Sequence, residues 1–395
     1  MIAYAAIALE LFITIVNGVT QAVTYQFGHR KVAPATVYAA MVRIVTAVSV
    51  PSAIILAAIA LTVPSQRPLL AVALALPFAM YAQATTGILL AGQRIQWTNV
   101  QASIANAGFN LLAIGAVVLL RADARIVLGV WVATYVATAA YAWLGARSIV
   151  RGPAAVDRAT IREQAVFAIK AGSAQVAGFI NMRIDVVIVS LMLGARALGV
   201  YTLAIGTAEM LWLLSQPLCF AAFGRIAAAP AGESAFFTAK LTRHIVALVV
   251  PLAVLGAFVA PSLIGVVYGS AFAAAGRTIQ WLLPGVAAYS IEIPLGYFLM
   301  VKLGRPGLIV VIQLVSVAVC ACVTFLTVRS WGIDGAAVAT SVTYVGVVVT
   351  KATIFMRATG VGPRQLLLLR ANEARDLVDR FGRGRGPSGK VVEST

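Results

Sequence analysis

Residues 181–226 read NMRIDVVIVSLMLGARALGVYTLAIGTAEMLWLLSQPLCFAAFGRI, and the organisation of the chain can be worked out from them. Two apolar runs flank a short turn between Gly194 and Gly199, and each can cross the hydrocarbon core of a membrane. Charges stand inside both runs. Arg183 and Glu209 each lie about 13 residues from Arg196, so in an antiparallel hairpin rising about 1.5 Å per residue both fall near the bilayer midplane. A charge at that depth is costly unless it meets a partner or a wet cavity. The spacing therefore predicts a structural ion pair between Arg183 and Glu209. Asp185, two residues from Arg183, points to another helix face and is left for a cavity.

Comparable runs recur along nearly the whole chain, at about 4–27, 38–63, 68–91, 99–120, 126–147, 165–192, 199–222, 243–267, 278–300, 306–328 and 334–356. The 395 residues are 61% hydrophobic and 11% charged, with a mean hydropathy of +0.95, which excludes a water-soluble globular domain. The reading is an all-α polytopic membrane protein with about eleven transmembrane helices. The net charge of +17 does not indicate nucleic acid, because the basic residues sit in the loops between spans. Loops after the odd-numbered spans and the tail hold about 20 lysines and arginines against about 6 on the other side, which places the former in the cytoplasm. Cys219, Cys320 and Cys322 all fall within apolar runs and behave as small hydrophobes.

Sliding the halves against each other matches Glu10 with Glu209, Phe27-Gly28 with Phe223-Gly224, Arg43 with Arg243, Pro51 with Pro251, Pro77 with Pro284 and Gly87 with Gly296. The offset stays near 200, as expected of parallel repeats that hold a substrate between two lobes. Residues 1–150 are then an N-terminal lobe of five helices, and 151–356 a C-terminal lobe of six. Residues 357–395 are a basic tail, amphipathic over 363–381 and then disordered. Segment 165–192 has no counterpart ahead of residue 4, so the pattern is that of a twelve-helix bundle lacking its first helix. Nothing at the start reads as a cleavable signal peptide.

Chemistry in such a chain must reside in the bundle, since no loop is expected to exceed about 20 residues. The longest are read at about 148–164 and 223–242. Gly384 and Gly389-Lys390 approach a phosphate-binding loop, but Val391 stands where Ser or Thr is needed. His29 and His244 lack the spacing of a metal site, and no nucleophile with a base partner can be assembled. The informative residues are the charges in the spans: Glu10, Arg183, Asp185, Glu209 and Glu292 near the centre, with Arg43, Lys170 and Arg243 nearer the cytoplasmic ends. Pro284 and Pro294 bracket Tyr289 and Glu292 on one helix that should bend.

The stretch quoted above resembles polysaccharide flippases of the multidrug, oligosaccharidyl-lipid and polysaccharide exporter superfamily. The resemblance rests on Arg183-x-Asp185, Leu193-Gly194, Gly199-x-Tyr201 and the helix ending Phe223-Gly224-Arg225-Ile226; the Pro usual before that Arg is absent here. It implies a transporter, not an enzyme, with two lobes around a central cavity in a bacterial plasma (inner) membrane and a cytoplasmic C-terminus. The implied substrate is a polyprenyl-pyrophosphate-linked oligosaccharide moved to the outer leaflet, for assembly of a surface polysaccharide such as lipopolysaccharide. Arg183, Arg43 and Arg243 would engage the pyrophosphate, while Asp185, Glu292 and Glu10 would line the cavity or bind a coupling sodium ion or proton. No cofactor, metal or nucleic acid is implied; membrane lipids are the other partners, and the chain is expected to be a monomer. The alternative is a cation-coupled multidrug exporter of the same superfamily. A glycan polymerase or ligase would need a sizeable outer loop.

Overall fold

The computed structural model describes residues 2–63, 67, 69–121, 124–152 and 156–369, leaving aside the side chains of residues 2–11, 14, 119, 120 and 124. Helix follows helix, with no strand among the described residues, as hydrocarbon demands of a backbone that must satisfy its own polar groups. In chain order the helices are α1 (Ile2–Thr24), α2 (Pro34–Thr62), α3 (Leu69–Ala91), α4 (Ile95–Ser103), α5 (Phe109–Leu120), α6 (Ala124–Arg147), α7 (Arg158–Asn181) and α8 (Ile184–Glu209). They continue as α9 (Trp212–Ala228), α10 (Ala231–Tyr268), α11 (Ala273–Tyr297), α12 (Pro306–Thr359) and α13 (Pro363–Leu367). π-helical turns extend α1 over Tyr25–His29 and α11 over Phe298–Lys302, and another joins α4 to α5.

Eight helical stretches among the described residues are long and apolar enough to cross a membrane, and the chain is a multi-pass membrane protein. Two of them, Arg158–Glu209 and Pro306–Thr359, are antiparallel pairs folded back at Gly194 and Gly332. Tyr201 Oη donates to Asp185 Oδ2 at 2.6 Å across the first turn, although the two are 16 residues apart in sequence. Thr327 Oγ1 reaches the Gly335 carbonyl at 2.9 Å across the second. Doubling those two and adding α1 yields about eleven crossings. Gly194 has φ 78° and ψ −177°, a region essentially restricted to glycine, so the hairpin turns where the sequence places its turn.

Both limbs of that hairpin bend partway along, at Met182–Arg183 and at Met210–Leu211. The bases of α7 and α12 are set by an Asp157 cap, whose carboxyl accepts from the Thr160 amide at 2.8 Å, and by Pro306 in the first turn. Hydrogen bonding to Thr160 holds the Asp157 carboxyl below its ordinary range.

The expected loop at 223–242 is instead helix, with only Ala229 and Pro230 between α9 and α10. Its small residues explain this. Gly224 lies so close to α3 that a Cβ there would stand 1.8 Å from the Leu90 carbonyl oxygen, and Ser234 Oγ donates to the Ile226 carbonyl at 2.7 Å. The tail also differs from expectation where it is described. α13 docks on α10 with Leu366 buried, and residues 370–381, like the Gly384–Lys390 region, lie outside the described residues.

Among the described residues, two large apolar cores hold the bundle. One lies wholly in the second half and joins α8 to α12 through Tyr201, Trp212, Ile245, Leu282 and Tyr344. The other is shared by both halves at the end carrying the basic loops, where Val23, Met41, Met80 and Ile88 pack with Phe223, Ile226, Phe298 and Phe355. Close helix contact without any hydrophobic drive from lipid needs small residues. Gly18 of α1 supplies one, since a Cβ there would meet the Ala168 carbonyl oxygen of α7 at 2.2 Å.

Candidate functional site

A cavity of about 840 Å³ lies between the two halves, walled by α1, α3, α4 and α6 on one side and by α7, α9, α11 and α12 on the other. Carboxamides dominate its polar wall. Asn17, Gln21, Gln83, Asn99, Gln101 and Asn106 come from the first half, and Gln175, Gln216 and Gln313 from the second. Gln83 Nε2 donates to Asn17 Oδ1 at 2.5 Å, and Gln101 Nε2 to the Ala82 carbonyl at 2.8 Å. The side-chain oxygens of Gln21, Gln101 and Gln313 are buried without a protein donor. Such groups call for hydrogen-bond donors from whatever occupies the cavity. Tyr135, Phe179, Phe220, Tyr289 and Tyr297 complete the wall with ring faces, and Tyr289 is held in a cluster with Trp212 and Tyr344 at ring separations of 5.3 and 4.7 Å.

Among the described residues, two charged side chains line the cavity, Glu292 of α11 and Lys351 of α12, and they are ion-paired. Both are nearly buried, and each neutralises the other where water cannot. Glu292 was expected in the cavity; Lys351 was not. Its signal was available, because a lysine inside the apolar run 334–356 is as exceptional as the arginines and carboxylates that drew attention. The carboxamides were missed because Asn and Gln carry no charge. Asn17 and Gln21, four residues apart, nevertheless mark one face of α1.

The remaining candidates are dispersed. Arg183 and Glu209 meet in a two-pronged pair, Nη1 to Oε1 at 2.9 Å and Nη2 to Oε2 at 3.2 Å, at the level where both limbs of the hairpin bend. Their neighbour Met182 lines the cavity, whereas Arg183 is turned to its partner. Asp185 does not face the cavity, contrary to expectation. It is buried inside the second half, where it accepts from Tyr201 and Thr340 hydroxyls at 2.6 Å each and from the Val186 amide at 2.8 Å. The fold-back at Gly194 explains the difference, since it brings Tyr201 onto the helix face that carries Asp185.

Arg243 does not line the cavity either. Its buried guanidinium donates to the Gln365 carbonyl and ties α13 to α10. Arg43, its repeat mate, is exposed on α2 and absent from the cavity wall, as for a cation reaching toward headgroups. Glu10 belongs to α1, but its side chain lies outside the described residues. Among the described residues, no group of three or more His, Cys, Asp or Glu side chains could hold a metal ion.

The cavity is closed toward the basic end. Phe223 and Tyr297 meet beneath it as tilted rings 4.5 Å apart; Lys31 Nζ donates to the Ala228 carbonyl at 3.0 Å, Lys302 Nζ to the Ala229 carbonyl, and Arg30 pairs with Glu163 at 3.5 Å. Every one of these hydrogen bonds and ion pairs closes the basic end, and all but the Lys302 bond cross from one half to the other. The opposite ends of the second half are tied among themselves, as by Arg277 to Asp334 at 2.6 Å and Thr278 to Asp334 at 2.7 Å.

A family described as polysaccharide biosynthesis protein matches residues 64–276. No curated protein matches the chain. Among solved structures, a point mutant of the Vibrio cholerae MATE transporter VcmN aligns with a TM-score of 0.75 at 10% identity, over 92% of this chain and 89% of that one. The MATE transporter ClbM in complex with Rb+ aligns with a TM-score of 0.71 at 12% identity, over 91% and 86%. A MOP superfamily transporter from Pyrococcus furiosus, described as having a binding pocket of reversed polarity, aligns at 0.68 and 13%, over 91% and 86%. The fold is therefore that of the MATE transporters.

Proposed function

This chain belongs to the polysaccharide biosynthesis protein family, and from that premise we propose that it is a transporter moving a polyprenyl-pyrophosphate-linked oligosaccharide from the cytoplasmic to the outer leaflet of a bacterial plasma membrane. The observation that carries the reading is the cavity wall, which is almost neutral, rich in carboxamides and faced with aromatic rings. Carboxamides donate and accept at once, which suits a sugar's hydroxyls, and ring faces suit its C–H faces. A cationic drug would need a free carboxylate, and the one carboxylate among the described lining residues, Glu292, is held by Lys351. That favours the saccharide over the drug-export alternative.

The pyrophosphate then falls to Lys351, not to Arg43 or Arg243. A charge-assisted bond from Lys351 to the substrate would release Glu292 to take up a proton, which couples binding to a change of state. The lobes, residues 1–150 and 151–356, rock about the shared core at the basic end. That end faces the cytoplasm, along with the tail at 357–395, so the arrangement described here is outward-facing. The transporter needs no cofactor and acts as a monomer.

The test is reconstitution in vesicles with a fluorescent polyprenyl-pyrophosphate disaccharide. Protein-dependent transfer between leaflets is expected, with a several-fold loss in Gln21→Ala/Gln313→Ala. Cells lacking the protein should retain the lipid-linked precursor on the cytoplasmic face. Normal surface glycan together with lost resistance to a cationic drug would move the assignment to drug export.

A further inference from the structure

A second cleft of about 760 Å³ opens at the basic end, away from the central cavity, between the π turn of α1, the first turns of α7 and the start of α12. Arg162 and Lys170 of α7 and Arg305 at the base of α12 line it, and all three are exposed. The one carboxylate in the wall, Glu163, is tied to Arg30. The cleft is thus cationic. The start of α12, Pro306-Gly307, lines the same space beside Arg305, and a helix N-terminus adds partial positive charge there. The rest of the wall is apolar or aromatic, with Val166, Phe167, Leu308 and Tyr25, and Tyr25 is braced on Phe167 at a ring separation of 4.5 Å.

The faces leading from the cleft into the bilayer are greasy and bare. Val166 and Ile169 of α7 are 42% and 68% exposed, and Val311 and Val315, in register with Leu308 along α12, are each 58% exposed. Cations at the base of two helices, with an apolar track rising from them, match the two ends of a phospholipid. Lys170, about 12 Å further along α7 than Arg162, can turn its ammonium back toward the same headgroup.

We propose that this cleft is a binding site for an anionic phospholipid of the leaflet at the basic end, with the phosphate among Arg162, Lys170 and Arg305 and the acyl chains along α7 and α12. Because Tyr25 belongs to the first half and α7 and α12 to the second, the lipid bridges the halves on the side where they are closed. This site is independent of the transported substrate.

Native mass spectrometry of the full chain in detergent, with phosphatidylglycerol or phosphatidylcholine added, tests it without any transport readout. The wild type should prefer phosphatidylglycerol, and R162Q/K170Q/R305Q should bind it about tenfold or more weakly, down to the level of phosphatidylcholine. R151Q/K240Q/R357Q, which removes the same charge from exposed sites elsewhere at that end, should retain the preference. Soluble pyrophosphate at the lipid's concentration should not displace the lipid. Should the first triple variant fail to fold, K170Q and R305Q singly should each weaken binding several-fold. An unchanged preference in the cleft variants, equal loss in both triple variants, or displacement by pyrophosphate would each overturn the proposal.

Discussion

Arg183 and Glu209 stand where the two limbs of one hairpin bend, and their pair spares each limb an unmatched charge. Arg183 is 42% exposed, so the pair is worth less than a fully buried one, and reversing either charge alone should cost about 1–3 kcal/mol. Exchanging them, Arg183→Glu with Glu209→Arg, should recover most of that, as read from the thermal melt of the detergent-solubilised protein. A double exchange no better than either single change would show that the pair does not hold the bends. Glu292 and Lys351 are a harsher case because both are nearly buried. Lys351→Met should destabilise by about 3–5 kcal/mol by stranding Glu292, while Lys351→Met/Glu292→Gln should fold nearly as well as the wild type. If Lys351 serves the pyrophosphate, that double variant melts normally and does not transport. Retained transport would leave the pair a packing device.

At the scale of helices, the closure of the basic end rests on how near α9 comes to α3. Gly224→Ala places a methyl group against the Leu90 carbonyl, and α9 must move away because backbone cannot yield as a flexible side chain does. Spin labels at Gln93 and Arg225, both exposed, should report a longer and broader distance in Gly224→Ala than in the wild-type background. An unchanged distribution would mean that other contacts set the closure. The hairpin turn makes a different demand. Gly194→Ala meets no neighbour, so its expected cost of about 1–3 kcal/mol arises from backbone conformation alone.

For the molecule as a whole, the polar ties described between the halves, Lys31 to Ala228 and Arg30 to Glu163, lie at the basic end, while the far ends of the second half are bound among themselves. On the proposed rocking mechanism, the Lys31 and Arg30 contacts and the shared core beneath the cavity have to break. The orientation of that end is open to direct measurement. Single cysteines at Arg151 and Lys240 should resist an impermeant thiol reagent in intact cells, and those at Arg67 and Arg277 should react. Labelling at position 151 from outside would reverse the topology and the direction of transport with it.

The sequence by itself determined the membrane class, the approximate spans, the turn at Gly194 and the common depth of Arg183 and Glu209. Each follows from one-dimensional quantities: run length against bilayer thickness, rise per residue and the cost of bare charge in lipid. Tertiary structure decided which face each polar residue shows. Asp185 and Glu292 are both carboxylates within spans, yet one is enclosed by Tyr201 and Thr340 and the other opens on the cavity with Lys351. Arg43 and Arg243 are repeat mates, yet one is exposed and the other binds α13. Depth can be counted along a helix, but the rotation of one helix against its neighbours depends on contacts such as Gly18 with Ala168 and Gly224 with Leu90, which lie far apart in the chain and meet only when the bundle is packed.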